Sequence, residues 1–227
     1  MMLPSALAFE SVETYWNEHS KTRGNMPRPR SHSRSALVDN AMTAFWRIGY
    51  QAVSMGDLVR ETGVSRGGIY SDFSGKQELF HACLDHYQEA VVTPVFAQVE
   101  AEDAGIDSIR CYFDNLLSGF EAMEGFGIGC LVGNTLTQID PSEEVTQEKL
   151  QAHCTRLFNG FRKVLARENG PDGPLSAAEL DDLAHFTMIS AQGLWSYSRL
   201  TDDAAILRRY AETLIASIET RLRGAAS

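Results

Sequence analysis

The sequence predicts an all-α protein made of a small N-terminal domain of short helices and a larger C-terminal helical domain. Apolar residues recur three and four positions apart along most of the chain, which is the spacing of amphipathic helices. Serine and aspartate stand where such segments begin, and glycine or proline stands where they end. We place an N-terminal extension at 1–30, the small domain at 31–80 and the large domain at 81–227.

The small domain is predicted to begin with a helix from Ser35 to Ile48. Ser54 is placed to cap a second helix, and Gly63 stands where a left-handed residue would end it. Ser65 would then cap a third helix of about two turns. Two short helices joined by a tight glycine turn form a helix-turn-helix, whose second helix enters the major groove of DNA.

The third predicted helix contains the glycine pair Gly67-Gly68 near its start. Each glycine destabilises a helix interior by roughly 1 kcal/mol relative to alanine, so the pair indicates a backbone that approaches DNA closely. We expect Arg66 to reach base edges, and Ser54, Tyr70 and Lys76 to hold phosphates. The predicted DNA-binding residues are Arg30, Ser54, Ser65, Arg66, Gly67, Gly68, Tyr70, Ser71 and Lys76.

A fourth helix is predicted from Gly75 toward Thr93, where the following proline should end or kink it. Ser74 would cap this helix with Gln77 as its capping-box partner. The helix is the only covalent link between the two domains. We therefore expect a signal from the large domain to reach the DNA through this helix or through a dimer interface.

These residues resemble the TetR family of transcriptional regulators. The resemblance extends from about Arg34 to Tyr87 and includes SM-x-D-L followed by GVSRGGIYSDFSGKQELF. The glycine turn, the cap serine, the aromatic pair Tyr70 and Phe73 and the lysine of helix four stand at the family's spacing. Ser71 departs from the pattern, because the family often has a larger residue there. The resemblance implies a homodimeric, ligand-responsive regulator of double-stranded operator DNA, most simply a repressor.

The large domain is helical by pattern from Asp107 onward. Asp140 followed by proline predicts the start of a long helix, and 169–174, NGPDGP, reads as a loop. Ser176 would open the penultimate helix with a capping box, and Asp203 or its neighbour would open the last one.

In the TetR family the last two long helices dimerise as half of a four-helix bundle. This sequence has apolar and small residues at helical spacing on both predicted helices, although the same pattern suits an intramolecular core. A dimer doubles the contacts with the operator, which favours the interface. The predicted interface residues are Phe186, Ile189, Gly193, Tyr197, Tyr210, Leu214 and Ile218.

The large domain also has aromatic and amide residues for an effector cavity: Phe113, Asn115, Phe120, Phe126, Cys130, Asn134, Phe158, Gln192 and Trp195. Such a lining suits a small, mostly apolar molecule with one or two polar groups. The segment GIGCLVGN around Cys130 resembles one in TetR regulators that respond to electrophiles and oxidants. A thiol sensor at Cys130 is therefore an alternative, and a buried unreactive thiol is the other interpretation.

Charge is divided unevenly along the chain, whose net charge is −10. Residues 21–76 have nine Lys or Arg against four Asp or Glu, whereas 91–227 have eleven against twenty. A basic segment, which includes the arginine-rich arm before Arg34, attached to an acidic body is typical of a DNA-binding domain with a regulatory domain. Residues 1–25 precede the family pattern, and translation from Met26 is an alternative start.

No catalytic or metal-ligand spacing is apparent, so we expect neither an enzyme nor a cofactor. An interaction module and an enzyme that uses the cavity stay as less favoured alternatives. No apolar run reaches the roughly 18 residues of a membrane span, and the N-terminus lacks the pattern of a signal peptide. We therefore expect a cytoplasmic protein without a membrane partner.

Overall fold

A computed structural model describes residues 33–121 and 127–224, and this part of the chain is helical with no strand. The predicted all-α class is confirmed. The elements are α1 Arg34–Ile48, α2 Met55–Thr62, α3 Arg66–Asp72, α4 Lys76–Tyr87, a π-helical segment Gln88–Val92, α5 Thr93–Glu100, α6 Ile106–Glu121, α7 Leu131–Leu136, α8 Glu144–Asn169, α9 Ala177–Ser198 and α10 Ala204–Leu222. Within the described ranges, no helix is long and apolar enough to cross a membrane. Arg30 and Phe126 lie outside the described residues.

Serine side chains begin the helices of the small domain. The Oγ atoms of Ser33, Ser54 and Ser65 each accept a hydrogen bond from the backbone N–H three residues later. Asp57 accepts from the Ser54 backbone N–H in return, which completes a capping box. Gly63 ends α2 in the left-handed conformation, with φ +69°. The predicted caps of α2 and α3 are confirmed.

An aromatic core holds α3 and α4 against α1. Ile69 and Phe73 of α3 are buried, as their spacing predicts. The Phe80 ring stacks on Tyr50 at 4.4 Å between centroids and meets Phe45 edge-on at 4.9 Å. Burial of Ile69 and Phe73 leaves the opposite face of α3 at the surface of the domain.

The prediction that Ser74 and Gln77 cap α4 is wrong, because the N-cap residue is Gly75 and no side chain makes a cap hydrogen bond there. Glu78, not Gln77, accepts hydrogen bonds from the backbone N–H and the Oγ of Ser74, at 2.7 and 2.6 Å. Gln77 instead donates from Nε2 to the carboxylate of Glu143 at 3.1 Å. The first turn of α4 therefore contacts the large domain through Gln77 and the preceding Ser74 through Glu78.

Helical structure continues from Lys76 to Glu100 through the proline, by way of the π-helical segment. Pro94 has no N–H to donate to the carbonyl four residues earlier. The chain accommodates this by a wider turn, in which both the backbone N–H and the Oγ of Thr93 donate to the carbonyl of Gln88. The predicted end or kink takes the form of this π segment, which joins α4 to α5 without a break.

The large domain packs α8 against α9 and α6 against α10. The capping box of Ser176 and Glu179 opens α9, and Asp203 caps α10, as predicted. The predicted start of α8 is wrong by three residues. The Asp140 carboxylate accepts from the backbone N–H and the Oγ of Ser142, which makes a turn, and α8 begins only at Glu144.

Candidate nucleic-acid interface and ligand cavity

The exposed face of α3 forms the candidate nucleic-acid interface. Arg66 and Gly67 are exposed, and the Tyr70 side chain is 50% exposed although it is aromatic. A Cβ built on Gly67 would meet no atom within 4 Å. Intramolecular packing therefore does not require glycine at this position, which agrees with a backbone that another molecule approaches closely.

Three of the predicted DNA-binding residues make hydrogen bonds inside the protein. Ser54 donates its hydroxyl proton to Asp57 at 2.6 Å, and Ser71 donates to the carbonyl of Gly68 at 2.8 Å. Lys76 Nζ donates to the carbonyls of Tyr50 and Val53 at 2.9 and 3.0 Å and lies 4.8 Å from the centre of the Tyr50 ring. Each of these side chains therefore satisfies a nearby cap, carbonyl or ring of its own domain.

Ser65 also serves mainly as a cap, because its Oγ accepts from the backbone N–H of Gly68. A basic residue outside the predicted set lies nearby, since the guanidinium of Arg34 sits 4.4 Å above the Phe73 ring. The groups that α3 presents outward are consequently Arg66, Tyr70 and the bare backbone at Gly67.

A cavity of about 80 Å³ lies where the two domains meet. Among the residues that the structure describes, its wall is mainly aromatic and aliphatic and contains no Lys, Arg, Asp or Glu. The lining residues are Trp46, Tyr87, Val91, Val92, Val95, Tyr112, Leu116, Gly119, Phe120, Gly127, Ile128, Gly129, Cys130, His153, Leu157, Gln192, Trp195 and Ser198. The π-helical segment thus forms part of the cavity wall.

The structure brings four of the predicted cavity residues together, namely Phe120, Cys130, Gln192 and Trp195. Four others do not line the cavity, which corrects the prediction: Phe113, Asn115, Asn134 and Phe158. Phe113 belongs to the core, Asn115 is half-buried elsewhere on α6, Asn134 holds the carbonyl of Ile128 and the Phe158 ring packs on His185 at 4.4 Å.

Trp46 is the lining residue that the small domain contributes. It is 2% exposed, and its Nε1 donates to the carbonyl of Gly129 at 3.0 Å. Its indole packs edge-on against Tyr87 of α4 at 4.8 Å. The segment 127–130, which is irregular, therefore connects the cavity wall directly to α1. A sequence signal for this role was the run from Ala44 to Trp46, because three consecutive apolar residues exceed one face of a helix.

A second set of contacts joins the two domains. Glu143 accepts from Gln77 of α4 at 3.1 Å and from Thr146 at 3.3 Å, and Gln51 Nε2 donates to the carbonyl of Gln138 at 3.1 Å. The domains therefore touch through side chains of α4 and of the turn that follows α1. Within one subunit, α4 is therefore not the only route by which a signal from the large domain could reach the DNA-binding domain.

A histidine and two glutamines form the polar part of the cavity region. His153 Nδ1 lies 2.9 Å from Nε2 of Gln88, and its Nε2 lies 3.2 Å from Nε2 of Gln192. Burial, followed by the charge of Arg156, lowers the pKa of His153 to about 4. The imidazole is therefore neutral near pH 7. Among the described residues, Oε1 of Gln192 is the one buried side-chain N or O atom without a hydrogen-bond partner.

Cys130 caps the short helix α7 and accepts from the Tyr87 hydroxyl at 3.3 Å and from the backbone N–H of Gly133 at 3.4 Å. Burial raises the pKa of the Cys130 thiol despite these hydrogen bonds. A thiolate sensor needs a lowered pKa and access to solvent. This environment does not favour the thiol-sensor alternative.

Large apolar side chains are exposed on α9 and α10. Phe186, Ile189 and Tyr197 of α9 are 46, 62 and 44% exposed, and Tyr210 of α10 is 45% exposed. Gly193 lies on the same face of α9, with no atom within 4 Å of a built Cβ. We call this set the α9–α10 face, and a groove in it is lined by residues that include Phe186 and Thr213.

The assignment of two residues to the dimer interface is wrong. Leu214 and Ile218 are 3 and 0% exposed, because they lie on the side of α10 that packs into the subunit's own core. Helical spacing identifies an apolar face but does not say whether that face meets the same subunit or a second one.

The helix-turn-helix, the exposed face of α3 and the helical large domain define a two-domain DNA-binding regulator. The chain matches the family of bacterial regulatory proteins described as tetR at 37–83, and a Tetracyclin repressor-like C-terminal domain at 105–214. It belongs to the TetR family of transcriptional regulators, whose members are not enzymes.

Related proteins match this chain over most of its length, and not only in the helix-turn-helix. The HTH-type transcriptional repressor ComR of Escherichia coli (strain K12) is 34% identical over 175 residues, which span 77% of this chain and 81% of ComR. A cysteine mutant of the TetR regulator CifR, solved with a 26-base-pair operator duplex, is 25% identical with a TM-score of 0.67 and covers 86% of this chain and 98% of its own. SCO4454 from Streptomyces coelicolor has the same fold, with 23% identity, a TM-score of 0.66 and coverage of 86% and 96%.

Proposed function

We propose that this protein is a homodimeric transcriptional repressor that binds operator DNA through α3 and leaves it when a small molecule occupies the cavity. The observation that supports this proposal most strongly is the position of the cavity, whose wall includes Trp46 of the small domain. A molecule in the cavity would contact both domains at once. Differential contacts of this kind are what couples two binding sites.

The size of the cavity supports a change of shape on binding. An apolar cavity of about 150 Å³ is known to hold benzene, whereas this one has about 80 Å³. An effector must therefore enlarge it. The wall segment 127–130 lies outside the helices and contains Gly129 with φ +74°, so we take it as the part of the wall that moves.

Enlargement at this segment would reach α1 through one hydrogen bond. Gly129 accepts from Trp46, so outward movement of the segment stretches that bond or pulls on α1. Because α1 packs on α2 and α4, such a pull reorients the helix-turn-helix. Two recognition helices that no longer match successive major grooves bind the operator more weakly.

The α9–α10 face supports the homodimer. Its apolar side chains are exposed in the single chain and would be covered by the same face of a second copy, as in a symmetric interface. The relative ComR is called a repressor, and the CifR mutant was solved with operator DNA. Both names support repression through operator binding as the activity of this chain.

A binding titration with DNA from the intergenic region beside this gene tests the proposal. A repressor should protect two half-sites about 10 base pairs apart or a multiple of that distance, with an affinity that falls steeply as salt is raised. A reporter driven by that region should become more active when the gene is deleted. No protection at low salt would contradict operator binding, and a less active reporter would indicate an activator.

A further inference from the structure

We infer that the effector is an uncharged, single-ring aromatic compound that bears one hydroxyl or carbonyl group, and that this group bonds to the Gln192 side chain. The inference rests on the proposed function only in taking this cavity as the effector site. Charge, size and one unpartnered amide atom each support it independently.

The charge of the effector is restricted by the cavity wall. None of the lining residues in the described ranges 33–121 and 127–224 carries a formal charge near pH 7, since the one titratable base, His153, is neutral there. An ionised ligand would lose its hydration without gaining a counter-charge, which costs several kcal/mol. An uncharged compound avoids this penalty.

The size and shape of the effector are restricted by the volume and by the aromatic wall. The cavity of about 80 Å³ must roughly double in volume before it holds one benzene ring. Two fused rings would require a much larger movement of the packed helices. Trp46, Tyr87, Tyr112, Phe120 and Trp195 surround the space. Aromatic side chains favour a flat ring, which can stack on one of them and meet others edge-on.

The polar group of the effector is indicated by Gln192. A neutral imidazole has one N–H and one acceptor nitrogen, yet both ring nitrogens of His153 face amide nitrogens, those of Gln88 and Gln192. One of the two amides must therefore turn its oxygen toward the imidazole N–H.

Either arrangement leaves one end of the Gln192 amide unsatisfied. If the Gln88 amide is flipped, Oε1 of Gln192 still has no hydrogen-bond partner. If the Gln192 amide is flipped instead, its NH₂ group is the one without a partner. A buried polar group without a partner is destabilising. A hydroxyl or carbonyl on the effector removes that cost, because an amide that turns can bond either as a donor or as an acceptor.

Calorimetric titration of the full chain without DNA tests the inference with defined probes. Phenol is uncharged at pH 7, whereas benzoate and benzylammonium are ions of similar size. Toluene matches phenol in shape but lacks the hydroxyl group. We expect phenol to bind about tenfold more tightly than toluene and much more tightly than either ion. We expect 2-naphthol to bind no more tightly than phenol despite its greater apolar area.

The variant Gln192→Leu should bind phenol and toluene equally, whereas Gln151→Leu, at an exposed position of α8, should keep the preference for phenol. Equal binding of phenol and toluene by the wild type would overturn the role of Gln192, and this comparison does not depend on the variant folding. Tight binding of either ion, or no binding of phenol at millimolar concentration, would overturn the assigned class. DNA release by another compound would still support the proposed function, so the two failures are distinguishable.

Discussion

The indole Nε1 of Trp46 donates to the carbonyl oxygen of Gly129 at 3.0 Å, although the two residues are 83 positions apart in the chain. Trp46 belongs to the first helix of the DNA-binding domain, and Gly129 belongs to the irregular wall of the cavity. Both residues line the same cavity. One hydrogen bond thus links the region that would hold an effector to the domain that would hold the operator.

Substitution of Gly67 by alanine should change protein stability and DNA binding in opposite directions. Because a methyl group at this position meets open space, Gly67→Ala should leave the fold intact and stabilise α3 by up to about 1 kcal/mol. The same methyl should weaken operator binding if the backbone approaches DNA. Urea denaturation and a DNA titration of the same preparation measure the two effects. A variant that is more stable and binds DNA as well as the wild type would place the DNA contact elsewhere.

Arg66 and Tyr70 should contribute directly to operator affinity. Each is exposed on α3, so Arg66→Ala and Tyr70→Ala should weaken binding by about 1–3 kcal/mol at fixed salt while the melting temperature stays near that of the wild type. Arg167→Ala, on an exposed part of α8, is the matched control and should bind normally. If the α3 variants and the control behave alike, α3 is not the recognition helix.

The α9–α10 face should control assembly. Ile189→Arg places a charge at a 62% exposed apolar position and should give folded monomers in sedimentation velocity. Val145→Arg makes the same change at a 51% exposed position of α8 and should leave the dimer intact. Leu214→Arg should instead unfold the subunit, because Leu214 is buried. A dimeric Ile189→Arg variant would show that the interface lies on another surface.

His153 should make stability depend on pH. Burial lowers the pKa of this imidazole from 6.5 to about 4, so between these values the unfolded chain binds a proton that the folded chain does not. The free energy of unfolding should therefore fall as pH is lowered through this window, by roughly 2 kcal/mol at pH 5.

Urea denaturation between pH 7 and 4.5 measures this dependence. His81, whose pKa is also lowered by burial, should contribute in the same direction. His153→Gln should flatten most of the slope, and His185→Gln, at an exposed position, should not. An unchanged slope in His153→Gln would mean that the folded imidazole titrates normally.

Local sequence signals predicted the start of a helix well where a single capping residue determines it. The caps at Ser54, Ser65 and Ser176 were predictable because a serine hydroxyl and an N–H three residues later form a bond that does not depend on tertiary structure. The π-helical segment was harder to predict from the sequence, since it forms only because the helix continues past Pro94.

Tertiary contacts were harder to predict from the sequence. Periodicity placed Leu214 on an apolar face but could not tell the subunit's own core from an interface. The cavity was predicted as a property of the large domain, and Trp46 was missed because it lies outside that domain. Lys76 was assigned to phosphate, whereas its partners are two backbone carbonyls more than 20 positions away.

Hydrogen exchange of the amides at 127–136, with and without operator DNA, tests the central claim without a known effector. If the DNA-bound form keeps the small cavity and the bond from Trp46 to Gly129, reciprocity requires DNA to stabilise the cavity wall. Exchange at 127–136 should then slow when DNA binds, and Trp46→Phe, which retains an aromatic ring but lacks the N–H, should lose most of that slowing. Unchanged exchange at 127–136 while α3 becomes protected would contradict a coupling between the cavity and the DNA.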